Sequence, residues 1–158
     1  MAYYLKGNRR RSKYMTRNAI IVDMDGTLVD VSEIKHYITD EPTNYEKFHL
    51  ESINCDEHAD IANAVRAWGK SDVKILIVTA RSEKYLEETL KWLNEHNIKF
   101  DMLYMRKNND DRYDSQVKSD ILNMIYREYM PILAYDDNPH TIKVWQRNSI
   151  PVVNGPGW

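Results

Sequence analysis

The most constraining feature of this chain is residues 19–28, where four apolar residues lead directly into Asp23, Asp25 and a Gly-Thr pair. The apolar run predicts a buried strand. Alternation along that strand places both carboxylates on one side, and a turn at Gly26 brings them together at its carboxyl end, where open α/β sheets bind ligands. Two carboxylates there suit a divalent cation, a covalent phosphoaspartate or an acid/base pair. An ordinary strand followed by an Asp-Gly turn is the alternative.

Length and composition indicate one ordinary globular domain. A chain of 158 residues, 42% hydrophobic and 29% charged, is long enough to bury a core. Neither a run of 18 apolar residues nor a secretory signal is visible, so we expect no membrane span and no membrane partner. Cys55 is the only cysteine, which excludes an internal disulfide and predicts a reducing, cytoplasmic location.

Positive charge is concentrated near the beginning of the chain. Residues 1–17 contain six lysines and arginines and no acidic residue, and because the net charge of the whole is −2, the remaining residues sum to −8. A basic segment of this kind can bind the phosphates of a polyanion, although a solvated tail is the commoner explanation. We therefore predict a flexible basic arm over 1–17 and one domain over 18–158.

Apolar runs and helical periodicity alternate through the rest of the chain. The apolar runs predict five strands, at 19–23, 73–78, 100–105, 132–135 and 150–153. The periodic segments predict four helices, at 56–68, 82–96, 116–129 and 138–147. This alternation predicts a mostly parallel sheet with helices on both faces. Residues 29–55 have no clear period, so we expect a loop or short hairpin over the mouth of the sheet.

Three further groups of polar residues follow predicted strands or begin predicted helices. Thr79 and Arg81 follow the second strand and could form a phosphate-binding corner. Lys118, near the start of the third helix, could neutralise a phosphate or a carboxylate. Asp136 and Asp137 follow the fourth strand and could complete an oxygen-ligand site for Mg²⁺. Taken singly, the first group could be a helix cap, the lysine a solvated surface residue and the last pair part of a turn. A parallel sheet, however, would bring all three groups to the same edge.

The order Asp-x-Asp-Gly-Thr, Thr-x-Arg, Lys and Asp-Asp resembles that of the haloacid-dehalogenase-like (HAD) phosphohydrolases, from about residue 18 onwards. The resemblance implies an α/β fold with a Rossmann-like parallel sheet flanked by helices. The segment between Asp25 and Thr79 has room for a short flap and one helix, so we expect no large cap domain. An open mouth of this kind suits a large substrate or the end of a polymer.

The resemblance also implies a role for each of the matching side chains. Asp23 would attack phosphorus as the nucleophile, and Asp25 would protonate the leaving oxygen and later activate water. Thr79 would bind the phosphate through its hydroxyl. Lys118 would steady the nucleophile and the phosphoryl oxygens. A phosphoryl group in transit spreads negative charge over its oxygens, which a lysine and a metal ion offset.

The metal implied by the resemblance is Mg²⁺. Its ligands would be the Asp23 carboxylate, the Asp25 backbone carbonyl and the Asp136 carboxylate, while Asp137 would bind through water or support Lys118. The five histidines are scattered without the spacing of metal ligands, so zinc is not expected.

A closer resemblance, to the 3′-phosphatase half of phage-type polynucleotide kinase, is visible in 79–82, 103–106, 110–118 and 136–138. It implies that Arg81 touches the phosphate, that Asp114 positions Lys118 or the arginines, and that Arg106 and Arg112 contact the nucleic-acid strand. The chain departs from that family in having no Gly-x-x-x-x-Gly-Lys-Ser/Thr loop of a 5′-kinase. It also has no arginine within 29–55.

Sequence alone therefore predicts a Mg²⁺-dependent phosphomonoesterase that removes 3′-phosphates from polynucleotide ends in nucleic-acid repair. A phosphatase of nucleotides or other small esters and a non-catalytic binding module remain the alternatives. Whether a separate kinase or ligase works alongside is left open. The aromatic residues are expected to pack in the core or lie on the surface, with Tyr104 and Tyr113 as the two candidates for base stacking; Trp158 is assigned no role.

Overall fold

A six-stranded sheet in the order β1-β4-β3-β2-β5-β6 forms the centre of the protein, in a computed structural model that describes residues 3–7 and 17–158. The strands are β1 (Tyr3–Lys6), β2 (Asn18–Val22), β3 (Lys74–Ser82), β4 (Met102–Arg106), β5 (Met130–Asp136) and β6 (Val152–Asn154). The helices are α1 (His36–Thr39), α2 (Tyr45–Glu51), α3 (Ala59–Trp68), α4 (Leu86–Glu95), α5 (Asp114–Ile125) and α6 (Pro139–Arg147). Five strands are parallel, and β1 pairs antiparallel with β4.

The sheet buries a separate apolar cluster on each face, because successive side chains of β2 point to opposite sides. Ile20 and Val22 belong to the cluster that includes side chains of α3 and α4. Ala19 and Ile21 belong to the other, with side chains of α5 and α6. The predicted parallel sheet flanked by helices is therefore confirmed, and within the described residues no cap domain is inserted. None of the described helices is long and apolar enough to span a membrane.

The start of the chain differs from the predicted flexible arm. Tyr3–Lys6 form an edge strand whose register pairs Tyr3 with Met105 and Lys6 with Met102. Tyr3 and Leu5 pack partly buried against the first core cluster. Two alternating apolar residues are too short a pattern to predict a strand. The basic residues between 8 and 16 lie outside the described residues, so the rest of the arm stays a prediction.

Residues 29–55, called the flap below, are helical rather than the predicted loop or hairpin. They contain α1, α2 and a 3₁₀ turn at Ser52–Asn54. The Asn44 side chain caps α2 by accepting a hydrogen bond from the Lys47 amide at 2.9 Å. Phe48 is the one buried residue of α2. A helix of seven residues with one buried side chain gives no periodic signal, which explains why the prediction was wrong.

Candidate active site

The carboxyl ends of β2, β3 and β5 meet at one edge of the sheet, below the flap. A cleft of about 1030 Å³ opens there, lined by Asp23, Asp25, Thr79, Lys118 and Asp137, among other residues. Acidic or hydroxyl residues lie within or directly after the carboxyl end of each of these strands. Because the strands are parallel, their carboxyl ends are neighbours and these side chains lie close together.

Asp23 lies at the bottom of the cleft and is held from several directions. Its amide donates to the Tyr135 carbonyl at 3.0 Å. Its carboxylate accepts a hydrogen bond from the Lys118 ammonium at 2.7 Å and another from the Thr27 hydroxyl at 3.0 Å. Burial raises the pKa of Asp23 well above its usual value, with Lys118 acting in the opposite direction and Asp136 adding to the increase. Of these influences, only the Lys118 ammonium favours the ionised form of Asp23.

Lys118 bridges two carboxylates inside the protein rather than lying in solvent. Its Nζ lies 2.7 Å from Asp23 Oδ1 and 2.8 Å from Asp136 Oδ2, and the residue is buried. Burial opposes the charged ammonium, but the carboxylates of Asp136 and Asp23 outweigh it and raise the pKa of Lys118 above its ordinary value. Lys118 is thus a fixed positive charge between two buried carboxylates.

Asp136 and Asp137 complete an acidic cluster at the end of β5. Asp136 is fully buried and accepts hydrogen bonds from the Asn138 amide at 3.1 Å and the Trp145 indole at 3.2 Å. One carboxylate oxygen from each of Asp23, Asp136 and Asp137 lies within 4.8 Å of the others. Burial raises the pKa of Asp137. Three converging carboxylates provide the hard oxygen donors that Mg²⁺ prefers.

The turn after β2 requires glycine at position 26. Gly26 has φ +80°, and a Cβ there would lie 2.4 Å from an Asp137 carboxylate oxygen. The Thr27 hydroxyl lies 3.0 Å from Asp23 and 3.1 Å from Asp137, within donating distance of both. The Gly-Thr pair therefore lets the turn pack directly against the acidic cluster.

Asp25 forms a buried, bidentate ion pair with Arg81. The guanidinium Nε and Nη2 donate to the two carboxylate oxygens at 2.9 and 2.5 Å. Burial alone would raise the pKa of Asp25, but the charge and hydrogen bonds of Arg81 outweigh it and lower the pKa. Arg81 lines the cleft but points two of its nitrogens at Asp25, so contact with a phosphate stays a prediction.

Thr79 and Arg81 lie within β3 rather than at a helix start. The strand continues to Ser82, which pairs with Arg106 on β4, and a 3₁₀ turn follows. The buried Thr79 hydroxyl accepts a hydrogen bond from the Arg81 amide at 3.2 Å and lines the cleft. Both residues therefore line the cleft, but they are presented by a strand and not by the start of a helix.

Arg106 and Arg112 are engaged by the protein itself. Arg106 donates to the carbonyls of Ala80, Asp110 and Arg112 and to the Asp114 carboxylate, at 2.6 to 2.9 Å. Arg112 pairs with Asp110 and with Asp120, each at 2.8 Å. Asp114 therefore binds an arginine, one of its two predicted partners, whereas the Lys118 ammonium binds Asp23 and Asp136.

Several aromatic residues that the sequence analysis did not single out also line the cleft. Phe48, His49 and Tyr85 form a wall on the flap side, with the His49 ring 4.4 Å from Tyr85 and 5.1 Å from Phe48. Trp158 stacks on Phe48 at 5.3 Å, although no local pattern indicates a contact so distant in sequence. The two residues predicted as stacking candidates differ from each other, because Tyr104 is buried in the core whereas Tyr113 is 82% exposed and lines the cleft.

The acidic cluster at the carboxyl edge of a parallel sheet of this strand order defines the chain as a HAD-type phosphatase domain, as its sequence motifs predicted. Residues 17–155 match the family described as the polynucleotide kinase PNKP phosphatase domain (HAD_PNKP). The chain belongs to this family.

One sequence relative and two solved structures with the same fold illustrate the similarity. The chain is 28% identical over 137 residues to a protein named as a bifunctional polynucleotide kinase/RNA ligase of Autographa californica nuclear polyhedrosis virus, covering 85% of this chain and 19% of that protein. A structure of the Pnkp1/Rnl/Hen1 RNA repair complex superimposes with a TM-score of 0.74 at 22% identity, covering 95% of this chain and 45% of that one. The class C acid phosphatase of Bacillus anthracis superimposes with a TM-score of 0.64 at 11% identity, covering 92% and 70% of the two chains. The chain thus spans about a fifth of the viral relative.

Proposed function

We propose that the chain is a Mg²⁺-dependent phosphomonoesterase that acts through a phosphoaspartate on Asp23 and removes 3′-phosphates from polynucleotide ends. The observation on which this rests is the Asp23 carboxylate held at 2.7 Å by the buried Lys118, beside Asp136, Asp137 and the Asp25–Arg81 pair. A nucleophile, a fixed cation, a second acid and a cluster of oxygen donors are the groups that phosphoryl transfer requires.

The carboxylate cluster fits Mg²⁺ because it offers only oxygen donors and has more negative charge than Lys118 neutralises. Asp23, Asp136, Asp137 and the Asp25 backbone carbonyl would hold the ion. When bound, Mg²⁺ would offset the charge that develops on the phosphoryl oxygens.

In the first step a carboxylate oxygen of Asp23 forms a bond to phosphorus while the bond from phosphorus to the substrate oxygen breaks. Asp25 gives its proton to the departing oxygen. In the second step Asp25 takes a proton from water, the water oxygen bonds to phosphorus, and Asp23 leaves as a carboxylate with release of inorganic phosphate. Because Arg81 favours the ionised form of Asp25, proton donation requires the guanidinium to turn from Asp25 towards the phosphoryl oxygens of the bound substrate.

Family membership and the open cleft of about 1030 Å³ support a polynucleotide as the substrate. One observation favours small phosphate esters instead. Among the described residues that line the cleft, Arg81, Arg106 and Arg112 are all paired with carboxylates, which weakens their attraction for a nucleic-acid backbone.

The test measures phosphate release from an oligonucleotide with a 3′-phosphate, its 5′-phosphorylated twin and a mononucleotide, each with and without Mg²⁺. We expect preference for the 3′ end, dependence on Mg²⁺, and less than about a thousandth of the wild-type rate in Asp23→Asn. Asp60→Asn, an exposed carboxylate on α3, is the matched control and should retain wild-type turnover. Equal turnover of the mononucleotide would move the substrate assignment to small phosphate esters.

A further inference from the structure

Trp158 packs against the turn that follows Asp23 and Asp25, although the chemistry proposed above does not use it. Its ring edge packs on the catalytic turn, since a Cβ on Gly26 would lie 2.6 Å from Trp158 Cδ1. The Gly157 amide donates to the Gly26 carbonyl at 2.9 Å, which anchors the segment to the same turn. Trp158 also lines the cleft together with Asp23 and Asp25.

The indole is held firmly yet remains half exposed. The Phe48 ring, itself buried, stacks on Trp158 with 5.3 Å between the ring centroids and 7° between the planes. Trp158 is nevertheless 47% exposed. Phe48 covers one face of the indole and Gly26 meets one edge, so a flat ligand that stacks on Trp158 would use the opposite face. A braced aromatic face turned to a cleft is suited to stacking with a flat ligand.

We infer that Trp158, braced by Phe48, is a stacking platform for the nucleobase nearest the scissile 3′-phosphate; this rests on the proposed function. A phosphate at Asp23 brings its own nucleoside beside the Gly26 turn, and Trp158 is the half-exposed ring that packs on that turn. Stacking tolerates every base, because each base has an aromatic face. It also supplies affinity where the cleft arginines are occupied by carboxylates.

The test compares wild type, Trp158→Leu and Trp158→Phe on three substrates: an oligonucleotide with a 3′-phosphate, the same strand with an abasic terminal nucleotide, and p-nitrophenyl phosphate. In Trp158→Leu, kcat/KM for the first substrate should fall roughly tenfold more than for p-nitrophenyl phosphate. The excess loss should disappear with the abasic strand, and Trp158→Phe should restore most of it. Tyr126→Leu, which removes an equally exposed aromatic ring outside the cleft, should show no excess loss.

Binding gives a second readout that does not require turnover. In an Asp23→Asn background, titration with the 3′-phosphorylated strand should quench tryptophan fluorescence, and adding Trp158→Phe should remove that quenching. Of the three other tryptophans, Trp92 and Trp145 are fully buried and Trp68 packs partly buried against the first core cluster, and none of them lines the cleft.

The outcomes separate the two proposals. If wild type prefers the 3′-phosphorylated strand but Trp158→Leu loses activity equally on all three substrates, Trp158 only packs the catalytic turn and the platform is refuted while the proposed function stands. If wild type shows no preference for the strand over p-nitrophenyl phosphate, the proposed function fails and the platform fails with it.

Discussion

His49 is an imidazole kept neutral in the wall of the cleft. Burial lowers the pKa of His49 to about 4. The charge of Asp25 raises this pKa and the charge of Arg81 lowers it further. Its Nδ1 is buried and has no hydrogen-bond partner among the described residues. The histidines lack the spacing of metal ligands, and nothing in the local sequence distinguishes His49 from the exposed His36.

The lowered pKa makes stability depend on pH in a definite direction. Between pH 6.5 and 4 the unfolded chain takes up a proton at His49 that the folded protein does not, so the free energy of unfolding falls as pH falls. The loss in the free energy of unfolding across this pH range totals roughly 3 kcal/mol, at about 1.4 kcal/mol per pH unit. Urea unfolding at pH 7, 6 and 5 should show a shallower loss for His49→Gln than for wild type. His36→Gln should follow wild type, and identical slopes for all three proteins would contradict this account.

At the level of elements, the connection between β4 and α5 is organised by one guanidinium. Arg106 joins the Ala80 carbonyl on β3 to the carbonyls of Asp110 and Arg112 and to Asp114 at the start of α5. Its side chain is only 14% exposed. This connection forms one side of the cleft, so its geometry depends on a planar fork of donors.

Replacing Arg106 with lysine should therefore disorganise that side of the cleft even though the charge is kept. An ammonium cannot reach four acceptors in this planar arrangement, and we expect a loss of about 1–3 kcal/mol in the free energy of unfolding. Chemical denaturation would measure the loss, and Arg127→Lys, an exposed arginine beyond α5, should cost little. Stability equal to wild type in Arg106→Lys would show that the hydrogen bonds contribute nothing net.

Comparison of particular elements shows what the sequence could predict. β2 to β6 were predicted because each contains an apolar run, and the last four helices because their apolar faces repeat. β1 was missed because its stability comes from pairing with β4, which is almost a hundred positions away. The flap helices were missed because Phe48 alone does not make a pattern.

The candidate site also contains residues whose proximity could be predicted and contacts that could not. Asp23, Lys118 and Asp136 follow or face strand ends, so fold class and spacing together predicted that they meet. Asp114 was predicted as a partner of an arginine, but the pairing of Arg81 with Asp25 and the three carbonyl acceptors of Arg106 were not, because a guanidinium reaches several acceptors and only the folded geometry selects among them. Trp158 depends on a hydrogen bond between Gly157 and Gly26 that has no local signature.

At the scale of the whole molecule, the fold concentrates negative charge at one edge of its sheet. Asp25 is neutralised by Arg81, whereas Asp23, Asp136 and Asp137 share Lys118, as far as the described residues show. Like charges brought this close repel one another and oppose folding. A divalent cation that binds the folded cluster should therefore stabilise the entire domain.

The free energy of unfolding should rise by about 2.7 kcal/mol when Mg²⁺ is present at a hundred times its Kd. For a domain of this size that corresponds to a rise in Tm of roughly 5–10 °C, which differential scanning fluorimetry would detect against NaCl of equal ionic strength. Asp137→Asn removes one of the three like charges, so it should raise the Tm without Mg²⁺ and reduce the increment that Mg²⁺ adds. Asp60→Asn, which removes an exposed carboxylate of α3 that is not part of the cluster, should keep the full increment. A wild-type Tm that responds no more to Mg²⁺ than to NaCl would mean that the carboxylates do not form a cation site in the folded protein.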